Sequence, residues 1–202
     1  MLTPPVSVAL ARRVHQLPTL GDRWSFEPKY DGWRVVMFRT DDGVILQSRA
    51  GRIITQALPD LASAGLQLPV GVVLDGEAVV YRGGRLDFAA MQRRALSNAQ
   101  RAAALAHQLP ASYAVFDCLQ DDTGEDLRPR PYDERRAALL RLLEDVGPPI
   151  QATPATRDRE LAMQWYELLP EMGVEGLLIK HRDRGYAAAR IWQKLKHSTA
   201  RP

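Results

Sequence analysis

The sequence predicts an α+β fold in which antiparallel sheets pack beneath flanking helices. Three observations carry this reading. Apolar, β-branched runs occur as hairpin pairs, helical stretches are interspersed among them, and 202 residues at 46% hydrophobic content suffice to bury one sizeable core. Residues 1–22 hold Pro4, Pro5, Pro18 and Gly21 without a sustained period and read as an extended arm with room for a short helix. Residues 33–39 and 43–49 are strands joined by Thr40-Asp41-Asp42-Gly43, a hairpin signal. Residues 72–81 form a candidate strand pair whose turn is Arg82-Gly83-Gly84-Arg85, and further strands are expected at 112–119, 176–181 and 190–196. Helices are expected at 53–65, 87–108, 132–145 and 158–172. The third is the clearest: Asp133 and Glu134 occupy its first turn, Leu139, Leu140, Leu142 and Leu143 give an apolar face, and Gly147-Pro148-Pro149 stops it. Residues 1–202 are therefore expected to form a single domain.

Composition excludes several classes. No segment approaches the roughly 20 apolar residues of a membrane span. Arg12 and Arg13 follow the first apolar patch, the wrong order for a secretory signal, so a cytoplasmic location is expected. The one cysteine, Cys118, lies in the apolar run YAVFDCL and reads as a buried thiol; it leaves no disulfide framework. A net charge of +3 suits phosphate-rich partners without selecting one. The kind of basic residue is more telling. Of 27 basic residues only Lys29, Lys180, Lys194 and Lys196 are lysine.

Lys29 lies in Phe26-Glu27-Pro28-Lys29-Tyr30-Asp31-Gly32-Trp33-Arg34, between a proline-braced extended segment and a strand. An amine attacks only as the free base, and desolvation or a nearby cation depresses a lysine's pKa towards that state; Asp31 and Arg34 are close enough in sequence to share a pocket with it. Alone, a Lys-Tyr-Asp-Gly tetrapeptide is an ordinary surface turn. Glu77, at the end of an apolar strand, equally suits a solvated terminus, and Phe116, in an alternating strand, suits the core.

Further motifs then follow in order: Ser48-Arg49-Ala50-Gly51 with Thr55, Asp75-Gly76-Glu77, Tyr113-Ala114-Val115-Phe116-Asp117, Glu175-Gly176-Leu177-Leu178-Ile179-Lys180 and Lys194-Leu195-Lys196. With Lys-x-Asp-Gly and Arg34, this series resembles the covalent nucleotidyltransferases, which comprise DNA ligases, RNA ligases and mRNA capping enzymes. The resemblance covers roughly residues 20–197 and is nearest to bacterial ATP-dependent DNA ligases. Asp87-Phe88 through Arg94, and Gly124-Glu125-Asp126-Leu127 leading to Pro131-Tyr132-Asp133-Glu134-Arg135-Arg136, are also similar to that family's linking segments.

The resemblance implies a ligase-type nucleotidyltransferase fold with an ATP cleft between two antiparallel sheets. It implies that Lys29 becomes attached to AMP, with Asp31 and Arg34 beside it in the catalytic set. Glu27 matches the position that contacts the adenine amino group, and Phe116 the ring that stacks on adenine. Arg34 and Arg49 match residues near phosphate and sugar. Glu77 carries over as a ribose acceptor or Mg²⁺ (or Mn²⁺) ligand, and Glu175 as a metal-associated carboxylate. Lys180, Lys194 and Lys196 carry over as phosphate-facing cations. Lys194 and Lys196 alternate on one strand and so share a face. The four lysines thus coincide with four motif positions, where guanidinium cannot replace a nucleophilic amine.

The implied activity is transfer of AMP from ATP to the 5′-phosphate of nicked double-stranded DNA, and sealing, in repair or recombination. An RNA ligase of the same superfamily and a non-catalytic nucleotide- or nucleic-acid-binding remnant are the alternatives. His181-Arg182-Asp183 spells a kinase triplet, but Ala188 stands where the kinase asparagine belongs and no glycine-rich nucleotide loop is present. Ligases of this kind continue past Lys-x-Lys into an OB-fold domain, for which residues 197–202 leave no room. That domain is therefore expected from another source, an OB-fold or repair protein in trans, and the isolated chain is expected to adenylate slowly.

Overall fold

The computed structural model describes residues 1–19 and 21–197. Its elements in chain order are β1 (Ala11–Val14), β2 (Trp24–Lys29), β3 (Trp33–Thr40), β4 (Gly43–Ser48), α1 (Pro59–Ala64), β5 (Val73–Arg82), β6 (Arg85–Leu86), α2 (Phe88–Ala95), α3 (Ala99–Gln108), β7 (Ala111–Gln120), α4 (Tyr132–Leu142), β8 (Ile150–Ala152), α5 (Arg159–Leu168), β9 (Gly176–His181) and β10 (Trp192–Lys196). They make two sheets. One has the order β1-β10-β9-β2; the other runs β4-β3-β5-β7-β8, with β6 hairpinned onto β5.

Strand β3 shows why the sheets stack. Val35 and Met37 join the core beneath the helices, while Val36 and Phe38 join a second core between the sheets. A strand buried on both faces reads as a continuous apolar run. On the outer side of the four-stranded sheet, Phe26, Leu177, Ile179 and Leu195 form a third core with Ala162 of α5. The layers are α5, first sheet, cleft, second sheet, and the helices α1 to α4.

The α+β architecture agrees with the sequence reading, and each sheet also carries one parallel edge strand. β1 pairs parallel with β10, and β8 pairs parallel with β7. The arm is extended as expected but packed: Val6, Val8 and Ala9 are buried, and the Gln47 carboxamide accepts from Val6 N and donates to Val6 O, both at 2.8 Å. Gln47 thus mimics a neighbouring strand. The helix expected over 87–108 divides into two, because Asp87 caps the Ala90 amide at 2.8 Å and Asn98 caps the Arg101 amide at 2.9 Å. The helix expected over 53–65 shortens to α1 between single 3₁₀ turns, with Pro59 opening it. Residues 198–202, part of the terminus on which the expected missing domain rested, lie outside the described residues.

Arg94 ties the helical layer together. Its fully buried guanidinium bonds both Asp60 oxygens, at 2.5 and 2.6 Å, and the Leu109 carbonyl at 2.9 Å. Removing one partner of a buried pair strands the other. Arg94→Met is therefore expected to lower the unfolding free energy by about 3 kcal/mol in denaturant titration; an unchanged midpoint would show that Asp60 is solvated without it.

Candidate active site

The alternation that buries Phe26 on one face of β2 turns Glu27 and Lys29, one and three residues on, to the other face. Register then sets them in rows. Lys29 pairs with Gly176, which pairs with Lys196; Glu27 pairs with Leu178, which pairs with Lys194. Gly176 is required at the crossing. It adopts φ +148°, and a Cβ there would lie 2.0 Å from the Leu195 carbonyl oxygen. Its neighbour Glu175 reaches between the two lysines, 2.5 Å from Lys29 Nζ and 2.8 Å from Lys196 Nζ. Burial opposes ionisation of Glu175, but the hydrogen bonds from Lys196 and Lys29 win and hold its carboxyl below the usual range. Asp31 stands beside it with its carboxyl raised, by burial first and by the Glu175 charge second.

The opposite wall comes from the second sheet. Arg34 clasps Asp75 through two bonds of 3.0 and 2.6 Å, donates to the Ala9 carbonyl at 2.6 Å, and lies 5.3 and 5.1 Å from the ring centres of Phe116 and Trp192. Its guanidinium is thus committed to the protein and forms a charged floor. Glu77 accepts the Gly32 amide at 3.1 Å. Gly32 fits only as glycine, since a Cβ would sit 2.2 Å from the Ala78 carbonyl oxygen. Burial pushes the Glu77 carboxyl up to about 7, against the pull of Lys29 and Arg34.

These groups enclose one cavity of about 430 Å³, an ordinary size for a small-molecule site. Of the residues anticipated from sequence, Lys29, Asp31, Arg34, Arg49, Glu77, Phe116, Glu175, Lys194 and Lys196 line it. Phe116 serves both readings: it is buried in the core between the sheets and its ring faces the cavity beside Trp192.

Glu27 and Lys180 are placed elsewhere, behind the wall. Lys180 is fully buried; its Nζ donates to the Phe116 carbonyl at 2.6 Å and lies 3.0 Å from Glu27 Oε2 and 3.7 Å from Asp117 Oδ2. Glu27 also accepts the Tyr132 hydroxyl at 2.5 Å. This corrects the phosphate-facing placement expected of Lys180. It is neutralised beneath Phe116, because leaving a buried ammonium unpaired costs several kcal/mol. The sequence reading named Asp75 within a motif but gave it no role, and it missed Trp192 and Tyr186, whose hydroxyl donates to Asp75 at 2.6 Å. An aspartate inside an apolar strand was the available signal for the first; the other two had none.

Because folding raises the Glu77 carboxyl, ionising it costs stability that grows as pH rises from the ordinary carboxyl range through about 7. Glu77→Gln has no charge to desolvate. Its unfolding free energy relative to the parent chain should therefore rise by about 1 kcal/mol or more between acidic and mildly alkaline pH; a difference independent of pH would place Glu77 in water.

Comparison with known proteins agrees with this geometry. Residues 7–196 match the family described as ATP dependent DNA ligase domain. DNA ligase C2 of Mycolicibacterium smegmatis is 41% identical over 198 residues, covering 96% of this chain and 54% of that protein. The crystal structure of the ligase domain of Mycobacterium tuberculosis LigD superposes with TM-score 0.72 at 27% identity, covering 94% of this chain and 60% of that one. A mycobacterial DNA ligase D complexed with ATP and MES gives TM-score 0.68 at 28% identity over 93% of this chain and 60% of that one. The chain thus spans little more than half the length of these relatives. It belongs to the ATP-dependent DNA ligase domain family.

Proposed function

We propose that this chain is one adenylation unit of a DNA ligase, in which Lys29 takes AMP from ATP and passes it to the 5′-phosphate of a nick. The observation that supports this best is the Lys29–Glu175–Lys196 bridge at the rim of a cavity walled by Phe116, Trp192 and Arg34. Phe116 offers a face to a base, and the ATP complex of the related mycobacterial enzyme favours adenine nucleotide as the occupant.

Lys29 must lose a proton before it attacks, and the Glu175 carboxylate at 2.5 Å and neighbouring Asp31 are acceptors within reach. Its Nζ then bonds the α-phosphorus while the bond to the pyrophosphate oxygen breaks. Lys194, Lys196 and Arg49 offset the charge that develops. AMP next moves to the 5′-phosphate, and the 3′-hydroxyl displaces it.

The carboxylates suit a shared metal site. Among the described residues no three His, Cys, Asp or Glu groups form a closed cage. Mg²⁺ is commonly held by one or two carboxylates together with substrate phosphates and water. Glu175 and Glu77 would hold Mg²⁺ or Mn²⁺, which when bound neutralises phosphate charge. Nicked duplex DNA would be gripped by its backbone phosphates, without sequence reading. An OB-fold segment, carried with this chain or in trans, would close over the nucleotide. No helix of the described residues is long and apolar enough to cross a membrane, and the reading sets the reaction in the cytoplasm.

Lys29→Arg is expected to abolish covalent labelling by radioactive ATP with Mg²⁺, as resolved on a denaturing gel, while the fold remains intact. A labelled variant would remove Lys29 from the role. With the parent chain, sealing of RNA-stranded nicks in preference to DNA would move the assignment to an RNA ligase.

A further inference from the structure

Strand β1 carries a cation, Arg13, that lies at the edge of the cleft, outside the cavity-lining residues and outside all of the motifs. In the parallel pairing of β1 with β10, Ala11 lies against Trp192, Arg13 against Lys194, and Val14 against Leu195. Ala11 and Trp192 both line the cavity, whereas Val14 and Leu195 both pack in the core under α5. Alternation therefore puts Arg13 on the cavity face, directly beside Lys194.

The pair is unusual in its charge. Lys29 and Lys196 share the single charge of Glu175, Arg34 is paired with Asp75 and Lys180 with Glu27, while the exposed Arg49 on the cavity wall makes no ion pair among the described residues. Arg13 and Lys194, among the described residues, make no ion pair and no side-chain hydrogen bond, and Arg13 is exposed. Like charges directly across a ladder destabilise a sheet. The carboxylate that acts on Lys194, Glu175, is already shared by Lys29 and Lys196, which leaves the pair free to take an anion. The arm cannot move away to relieve the repulsion, because Leu10 bonds Ala189 and Trp192 through its backbone and the Ala9 carbonyl is held by Arg34.

Direction identifies the anion. Lys29 stands on β2, at one edge of the sheet, and Arg13 on β1, at the other, three strand spacings or roughly 14 Å away. In phosphoryl transfer the leaving group departs in line with and opposite to the nucleophile. A group leaving an α-phosphate attacked from β2 therefore travels toward β10 and β1.

We propose that Arg13 and Lys194 bind the β- and γ-phosphates of ATP and receive the pyrophosphate as it departs. The proposal rests on Lys29 being the nucleophile. In the step itself the Lys29 Nζ–phosphorus bond forms, the amine proton passes to Glu175 or water, and the α-phosphorus–oxygen bond breaks. The bonding pair leaves as negative charge on pyrophosphate, opposite the guanidinium and ammonium groups.

The test compares the parent chain with Arg13→Ala, Arg13→Lys and Arg12→Ala, whose residue pairs with Gln193 on the other face. ATP and AMP affinities are measured by calorimetry, and release of AMP from the adenylated lysine by added pyrophosphate is timed. Arg13→Ala is expected to weaken ATP about tenfold, as for loss of one charge-assisted bond, and to leave AMP affinity unchanged. It should slow pyrophosphate-driven release, Arg13→Lys should restore most of both, and Arg12→Ala should resemble the parent. Equal ATP affinity for Arg13→Ala and an active parent chain would overturn this proposal alone. So would a defect confined to AMP transfer onto DNA, with a salt dependence reduced by about one phosphate contact, which would assign Arg13 to the DNA backbone. A parent chain that does not label Lys29 would overturn the nucleophile reading and this one with it.

Discussion

The Glu175 carboxylate, held between Lys29 and Lys196, is the contact on which the site depends. Three ionised groups within bonding distance would not gather on one short stretch of sheet without it, since the two ammonium groups repel. Their meeting has a backbone cause. Gly176 lets β9 and β10 approach where any side chain would strike the Leu195 carbonyl, and the register of β2, β9 and β10 then brings Lys29 and Lys196 to the same level. A slip of one residue in the β2–β9 pairing would send Lys29 into the core beneath α5, and one in the β9–β10 pairing would send Lys196 there.

The second sheet supplies the complementary half. Arg34 is spent on Asp75, Ala9 and Tyr186, so the cavity floor is an ion pair closed to further pairing. Lys180 supports Phe116 from behind in the same manner. The cations near the phosphate-bearing end divide into two kinds. Those matched to a carboxylate give the site its shape, and Lys194, Arg49 and Arg13 make no ion pair among the described residues. Burial first, then the charges of Lys196 and Lys29, lower the affinity of Lys194 for a proton.

Much of this was legible in the sequence because period and turn chemistry act locally. The hairpin of β3 and β4 was marked by Thr40-Asp41-Asp42-Gly43, and the strands β5, β7, β9 and β10 by apolar runs. The parallel edge strands were not legible. β1 and β8 are short, and their pairing partners lie far along the chain, so no local pattern announces them. The split between α2 and α3 was written in Asp87 and Asn98 as caps but was masked by an unbroken helical composition. At the site, the order of motifs gathered nine residues into one cavity. It could not tell which cations face the cavity: Lys180 and Lys194 have the same chemistry, and only the neighbours above and below them, set by long-range register, separate a buried support from a half-buried cation on the cavity wall.

On the proposed reading, register makes Lys29, and no other lysine, the group that bonds the nucleotide. Peptide mapping by mass spectrometry, after incubation with ATP and Mg²⁺ and proteolysis under conditions that preserve a phosphoramide, tests it most directly. The account predicts an AMP adduct confined to the peptide containing Lys29, with Lys180, Lys194 and Lys196 unmodified. An adduct on Lys194 or Lys196, or one spread among the cavity lysines, would contradict it.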